Sequence, residues 1–317
     1  MTVINALKFN DKSGGMVADS QSSDFSTNRK YDLADKVMTF SQGDTFVLAG
    51  GTGRADLLYE AGTRLQDLFG EMKGYSFRDF AYATSDLLIS MKRERIETRL
   101  KSVYGISGLE AVTGQKIVDE ANSKTAPIDP EMLKQIREEY KAHTEKSSGF
   151  FGGNAFLMIG KDKSGVNLYT VPMGTAPFLS SDSYLSLGSG SDESDKRLYH
   201  FLKDIVKEKR SEVDFIKGMA ALIRATTASS DLNLGVGGVP SIHYFNERGM
   251  KSLGEEESRF AVELIKVGDA GLISPDKMHE ALESLILQAA KVEALNESVF
   301  RESKNCERIM MFLRGYK

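Results

Sequence analysis

The 317-residue chain has a single cysteine, Cys306, and no tryptophan. A lone cysteine excludes an internal disulfide and any cysteine-rich metal site. The four histidines, at positions 143, 200, 243 and 279, show no metal-ligand spacing, so no metal or other cofactor is expected. No run of about 18 apolar residues occurs, and no membrane span is expected. The first residues, Met1 to Lys8, lack a basic segment followed by an apolar run. That is not the pattern of a secretory signal, and a cytoplasmic location is the default expectation. Neither sign of charge dominates: 41 Lys and Arg stand against 45 Asp and Glu, a net charge of −4. This balance gives no electrostatic reason to expect a nucleic-acid partner.

What is present is the composition of a folded globular chain, 41% hydrophobic and 27% charged, long enough for one large domain or two ordinary ones. The first fifty residues read as strands. Thr2 to Phe9 alternates, Asn10 to Gly15 is a turn cluster, and Met16 to Asp19 returns. Ser20 to Asn28 is polar, as in a loop. Lys36 to Phe40 and Thr45 to Ala49 form a second hairpin about Ser41 to Asp44. Helical spacing follows over Arg54 to Phe69, and Ser76 to Asp79 resembles a capping box opening a helix toward Val103. Residues 105–149 are more polar and read as an insertion or a protruding helical hairpin.

A second strand block occupies Asn154 to Gly160, Val166 to Val171 and Tyr184 to Leu187, ending in Gly188-Ser189-Gly190-Ser191. Helices are expected over Asp192 to Lys209 and Glu212 to Thr227. Strand then runs from Ser241 through a turn at Asn246 to Gly249, and on to about Val267. Ser274-Pro275 caps a last helix reaching about Asn305, with proline at the first helical position. Hairpin-linked strands imply antiparallel sheets, and two strand blocks with segregated helix pairs predict an α+β, four-layer α/β/β/α sandwich. The expected division is a sandwich domain over 2–267, including the insertion, and a C-terminal helical extension over 268–317.

Thr2 is the first residue with potential chemistry. Removal of Met1 would leave a hydroxyl and a free α-amine on one Cα, and such an amine, with a pKa of about 8, can act as a base near neutrality. A threonine hydroxyl needs a neighbour of that kind to become a nucleophile. Many chains begin Met-Thr for no catalytic reason, so the context decides. The pieces Thr2-Val3-Ile4, Gly15 to Ser20, Asp35 to Phe40 and Leu48 to Gly51 with Ala55-Asp56 stand in order. Gly160-Lys161-Asp162, Leu168 to Val171 and Leu187 to Ser191 follow. Together they resemble proteasome β-type subunits, the group that includes the peptidase subunit of the bacterial ATP-dependent two-component protease and Anbu. The resemblance covers about residues 2–104 and 153–266, and the fold it implies, that of N-terminal nucleophile (Ntn) hydrolases, is the sandwich predicted above.

The resemblance implies a threonine-type peptidase in which the Thr2 hydroxyl attacks a peptide carbonyl and forms an acyl-enzyme. Lys36 matches the site lysine, which disfavours protonation of the amine and stabilises the developing alkoxide. Asp19 would hold Lys36 charged and oriented, Gly50 would offer its backbone N–H to the oxyanion, and Ser189 would relay the proton of the Thr2 amine. Plain alternatives exist for each: a strand-end turn former for Asp19, a solvated pair for Asp35-Lys36, a loop and cap for Gly188 to Gly190. The spacings from Thr2 to Asp19 and from Asp19 to Lys36 are each one residue longer than usual in the group. Its Asp-x-x-Ser-Gly motif stands here as Asp231 to Gly235, with Asp231 in place and Leu234 where serine is usual. Ala34, Met38, Leu48 and Thr52 fall where the group lines its side-chain pocket, implying an apolar preference. The implied partners are a peptide or unfolded-protein substrate and further copies of the chain in a ring, with an ATPase partner left open. Acyl transfer to an amine and a catalytically inactive subunit of the same fold are the competing expectations.

Overall fold

The computed structural model describes residues 2–24, 29–31, 36–119, 124–144, 153–207, 212–233 and 236–314. The chain opens with the hairpin β1 (Ile4–Asn10) and β2 (Ser13–Ala18). A two-stranded piece follows, β3 (Ser22–Asp24), inside the segment expected to be loop, with β4 (Arg29–Tyr31). β5 (Val37–Gln42) and β6 (Thr45–Thr52) form the next hairpin, and α1 (Ala55–Glu71) and α2 (Phe77–Tyr104) come after it. The insertion holds α3 (Gly108–Thr113), the hairpin of β7 (Gln115–Asp119) and β8 (Lys124–Pro127), and α4 (Pro130–Thr144). Four strands, β9 (Ala155–Asp162), β10 (Gly165–Pro172), β11 (Phe178–Leu179) and β12 (Tyr184–Leu187), precede α5 (Ser191–Lys207) and α6 (Phe215–Leu232). The chain ends with β13 (Ser241–Asn246), β14 (Gly249–Ser252), α7 (Glu255–Asp269), α8 (Pro275–Leu287), α9 (Val292–Asn296) and α10 (Cys306–Arg314).

Two five-stranded antiparallel sheets form the centre, in the orders β12-β1-β2-β13-β14 and β11-β10-β9-β6-β5. The period of two along each strand sorts its side chains between two cores. Ile4, Ala6, Met16 and Ala18 face inward and pack with Leu48, Leu157, Ile159 and Leu168 between the sheets. Leu7, Phe9 and Val17 face outward onto Met219, Leu222 and Ile223 of α6. On the far side, Val47, Ala49, Phe156 and Met158 meet Leu57, Ala61 and Leu65 of α1 and Phe80, Leu88 and Met91 of α2. The layers are therefore helix, sheet, sheet, helix, the α/β/β/α sandwich that the element order implied.

The departures from expectation have physical reasons. Gly14 and Gly15 belong to β2, not to the turn. A Cβ on Gly14 would lie 2.7 Å from Ile159 Cδ1, and one on Gly15 2.8 Å from Met219 Sδ. These glycines serve close packing of both β2 faces rather than chain reversal. The stretch from Glu255 to Val267 is helix, with Phe260, Ala261, Leu264 and Ile265 on one buried face, rather than continued strand. That helix and the C-terminal helices share one core: Leu264 and Ile265 pack in the same cluster as Leu282, Phe300 and Ile309. The last helix breaks at Ala289, whose φ is +52°, before α9 and α10. The insertion is a β-hairpin between two helices, and its Ile106, Ala111, Ile128 and Ile136 extend the α1/α2 core.

Candidate active site

The site forms where the starts of β1 and β5, the end of β2 and the turn before α5 converge. Antiparallel pairing brings residue 3 beside residue 19: the Asp19 N–H donates to Val3 O at 3.1 Å, and the Val3 N–H donates to Asp19 Oδ1 at 2.8 Å. The same Oδ1 accepts from Lys36 Nζ at 2.8 Å. Lys36 Nζ also donates to Gln21 O at 2.6 Å, so two of its three protons have these acceptors. Asp19 Oδ2 receives the Gly237 N–H at 3.4 Å. The Asp19 side chain is wholly buried and that of Lys36 is 10% exposed.

Burial governs the charge of this pair. Desolvation pulls Lys36 below the ordinary lysine value, and Asp19 opposes that shift without cancelling it. Desolvation likewise pushes Asp19 above the ordinary carboxylate range, against the pull of Lys36 and the N–H groups of Val3 and Gly237. A lysine whose proton is loosened in this way suits proton transfer better than a solvated one.

Thr2 is gripped through its backbone by the turn at 188–190. Ser189 Oγ accepts the Thr2 N–H at 3.3 Å, and the Gly190 N–H donates to Thr2 O at 3.2 Å. Gly188 has φ +106°, and a Cβ there would stand 2.1 Å from Thr2 O, so this position requires glycine. The structure thus joins Thr2 to Ser189 directly, and Lys36 to Asp19 and the Val3 amide that follows Thr2. Met1, whose removal matters to the chemistry, lies outside the described residues.

Other expected members sit elsewhere. Gly50 lies inside β6 opposite Val37 and Leu157. Its neighbour Gly51 donates its N–H to Lys36 O at 3.0 Å, so the pleat turns the Gly50 N–H the other way, into the pairing with β9. The missing Gly50 side chain faces Ile4 Cγ2 at 2.7 Å, which makes it a packing glycine between the sheets, not a donor facing a cleft. Asp231 is an exposed residue at the end of α6, 3.8 Å from Lys266 on α7. The loop instead reaches the site through Gly237, two residues beyond the expected glycine. In that register Asn233 and Val236 occupy the Asp and Ser positions of the motif, and neither supplies a carboxylate or hydroxyl. Leu234 and Gly235 lie outside the described residues.

The expected pocket does not assemble. Leu48 is fully buried between the sheets, and Thr52 shares its face of β6. Met38 is on the opposite face, packed toward α1 with its Sδ 2.8 Å from where a Gly62 Cβ would be. Ala34 lies outside the described residues. Two residues not singled out in the sequence join the site's support: Ser229 Oγ donates to Gly190 O at 2.7 Å, and Ser194 Oγ lies 2.8 Å from Ser229 Oγ. Each looks like an ordinary polar helix residue in sequence. Among the described residues, no group of three or more His, Cys, Asp or Glu side chains is placed to hold a metal ion. Among the same residues, no helix is long and apolar enough to cross a membrane.

Among solved structures, the fold is similar to that of the Gly-1 mutant of Anbu from Hyphomicrobium sp. strain MC1. The TM-score is 0.50 at 11% identity, over 80% of this chain and 85% of that one. Anbu, an ancestral β-subunit, from Yersinia bercovieri gives a TM-score of 0.49 at 13% identity, over 85% of this chain and 94% of that one. At these identities the likeness establishes a fold shared with Anbu, and the first comparison carries it. No family model matches the sequence. No curated protein matches it either.

Proposed function

We propose that this protein is a threonine-type amidohydrolase acting on peptide bonds, with Thr2 as nucleophile after Met1 is removed. The observation that carries the reading is the single oxygen, Asp19 Oδ1, that joins the Lys36 ammonium to the Val3 amide next to Thr2. A solvated charge pair has no reason to be buried against the first peptide of a strand, and its desolvation is costly unless the pair has a task.

In this mechanism the Thr2 α-amine accepts the Thr2 Oγ proton, with Lys36 keeping the amine neutral by its nearby charge and Ser189 orienting the nitrogen. The oxygen adds to the substrate carbonyl. The C–N bond then breaks as the departing amine takes the proton, leaving an ester on Thr2. Water adds to the ester, passes a proton to the α-amine, and releases the acid with Thr2 regenerated. The test is intact-mass analysis with and without a β-lactone or epoxyketone probe. Loss of the Met1 mass together with one probe per chain supports the reading. An unmodified, Met-retaining chain in an active preparation refutes it. Lys36→Met, which removes the charge beside the amine, is expected to slow labelling by roughly 100-fold or more.

The placement of Gly50 within the sheet favours a second reading, a non-catalytic subunit of the same fold. Labelling of Thr2 excludes it, and products formed with added amine separate acyl transfer from hydrolysis. We also infer assembly into a homo-oligomeric ring. Supporting it are Tyr59 on α1 and Leu109 and Val112 on α3, large apolar side chains left well exposed. A monomer by native mass spectrometry refutes that assembly.

A further inference from the structure

The turn that grips Thr2 is held from behind by two buried hydroxyls. Ser229 Oγ donates to Gly190 O at 2.7 Å, and Ser194 Oγ lies 2.8 Å from Ser229 Oγ and 3.1 Å from Ala225 O. Both serines are fully buried. Each hydroxyl has one proton. With the Ser229 proton on Gly190 O, the one Ser194 proton has two acceptors, Ala225 O and Ser229 Oγ, and when it turns to Ser229 the chain Ser194 to Ser229 to Gly190 is directed, each bond polarising the next. Gly190 leaves little space for a side chain: a Cβ there would be 3.1 Å from both Val3 Cβ and Val236 Cγ2. Val236, the neighbour on the other side, is apolar and offers the turn no hydrogen bond from its side chain. The turn's carbonyl takes its buried side-chain partner from α6, through Ser229.

We propose that Ser194 and Ser229 are positioning residues that fix the 188–190 turn, and through it the Ser189 hydroxyl and the Thr2 backbone. They touch no reacting atom. The chain Ser229, Gly190 O, Gly190 N–H, Thr2 O is continuous, and it couples the α5/α6 helix pair to the N-terminal residue. The rate consequence of this brace rests on the reading of Thr2 as nucleophile, whereas the structural consequence does not.

The test compares amide hydrogen exchange in peptides covering 186–194 with probe labelling of Thr2, in the full-length chain. Ser229→Ala is expected to speed exchange in this turn about tenfold, the scale of one lost hydrogen bond. It should slow labelling by a similar factor, with the probe's binding constant unchanged. Ser194→Ala should give a smaller change of about threefold, and the double variant should match Ser229→Ala because the pair acts as one unit. Ser229→Cys, which keeps the volume with a weak donor, should fall between and guards against misfolding of the alanine variant. Ser230→Ala, whose hydroxyl bonds Thr226 O on the same helix, should leave both readouts unchanged. Wild-type exchange at 186–194 in Ser229→Ala overturns the proposal. So does a rise of equal size in β9 or in Ser230→Ala, which would mark general loosening. If the wild type takes no probe, the reading of Thr2 fails while the exchange series still decides the brace.

Discussion

Asp19→Asn is the perturbation that tests the site most directly. Asp19 Oδ1 serves both Lys36 Nζ and the Val3 N–H, and Oδ2 faces the Gly237 N–H. Asparagine retains one acceptor oxygen, but its NH2 must then face a donor, and the charge that balances Lys36 is gone. With the lysine side chain only 10% exposed, the variant leaves a nearly buried ammonium without its counter-ion. Breaking a buried pair from one side costs about 3–5 kcal/mol, roughly 10 °C in midpoint for a chain of this size. The pH dependence has a definite sign. Burial already lowers Lys36, so the unfolded chain binds that proton more tightly than the folded one, and stability rises with pH from the lowered value to the ordinary one near 10.4. Removing the carboxylate deepens the shift. The midpoint difference between variant and wild type, followed by circular dichroism, should therefore narrow from pH 7 to pH 10. Asp19 acts oppositely in acid: its raised value makes its contribution fall as pH climbs out of the ordinary carboxylate range. An Asp19→Asn protein with wild-type midpoint and wild-type labelling at pH 7 would refute the argument.

Further outcomes follow from particular contacts. Gly188→Ala combines φ +106° with a Cβ overlapping Thr2 O, and should lose about 1–3 kcal/mol along with most probe labelling, checked by denaturant titration and mass spectrometry. Leu48→Ala should cost about 2–5 kcal/mol in urea unfolding by opening a cavity between the sheets, while leaving the ranking of peptide substrates unchanged. Asp231→Asn should alter stability by less than about 1 kcal/mol and leave labelling within twofold, because its Lys266 pairing is a surface contact. Gly15→Val should destabilise by about 1–3 kcal/mol through overlap with Met219, Phe9 and Leu222, seen as a lower thermal midpoint.

Local rules made much of the architecture legible. Alternation in residues 2–9 and the turn cluster at Ser41 to Asp44 marked the strands, and the Ser76/Asp79 capping box and the Ser274-Pro275 start appear where the sequence placed them. Both features depend on neighbours within a few residues. The ambiguous segments were those whose local signal has two solutions. Gly14-Gly15 suits a turn or a tightly packed strand, and the space left by Ile159 and Met219 selects the strand. Residues 255–267 carry apolar spacing that the helical core around α6 and α8 resolves as helix.

For the site, the sequence alone determined which groups exist: a threonine at position 2, a carboxylate closing β2, a lysine opening β5 and a serine between glycines. Each is a property of local pattern, read together with a family resemblance. Only the tertiary structure decided which of them meet. Thr2 and Ser189 are 187 positions apart, and their contact depends on β12 pairing with β1. The same packing withdrew the Gly50 N–H into a sheet, sent Met38 and Leu48 to opposite faces, and buried Ser194 and Ser229 behind the turn. Pleat direction and helix docking set those outcomes, and both belong to the assembled layers rather than to any segment of the chain.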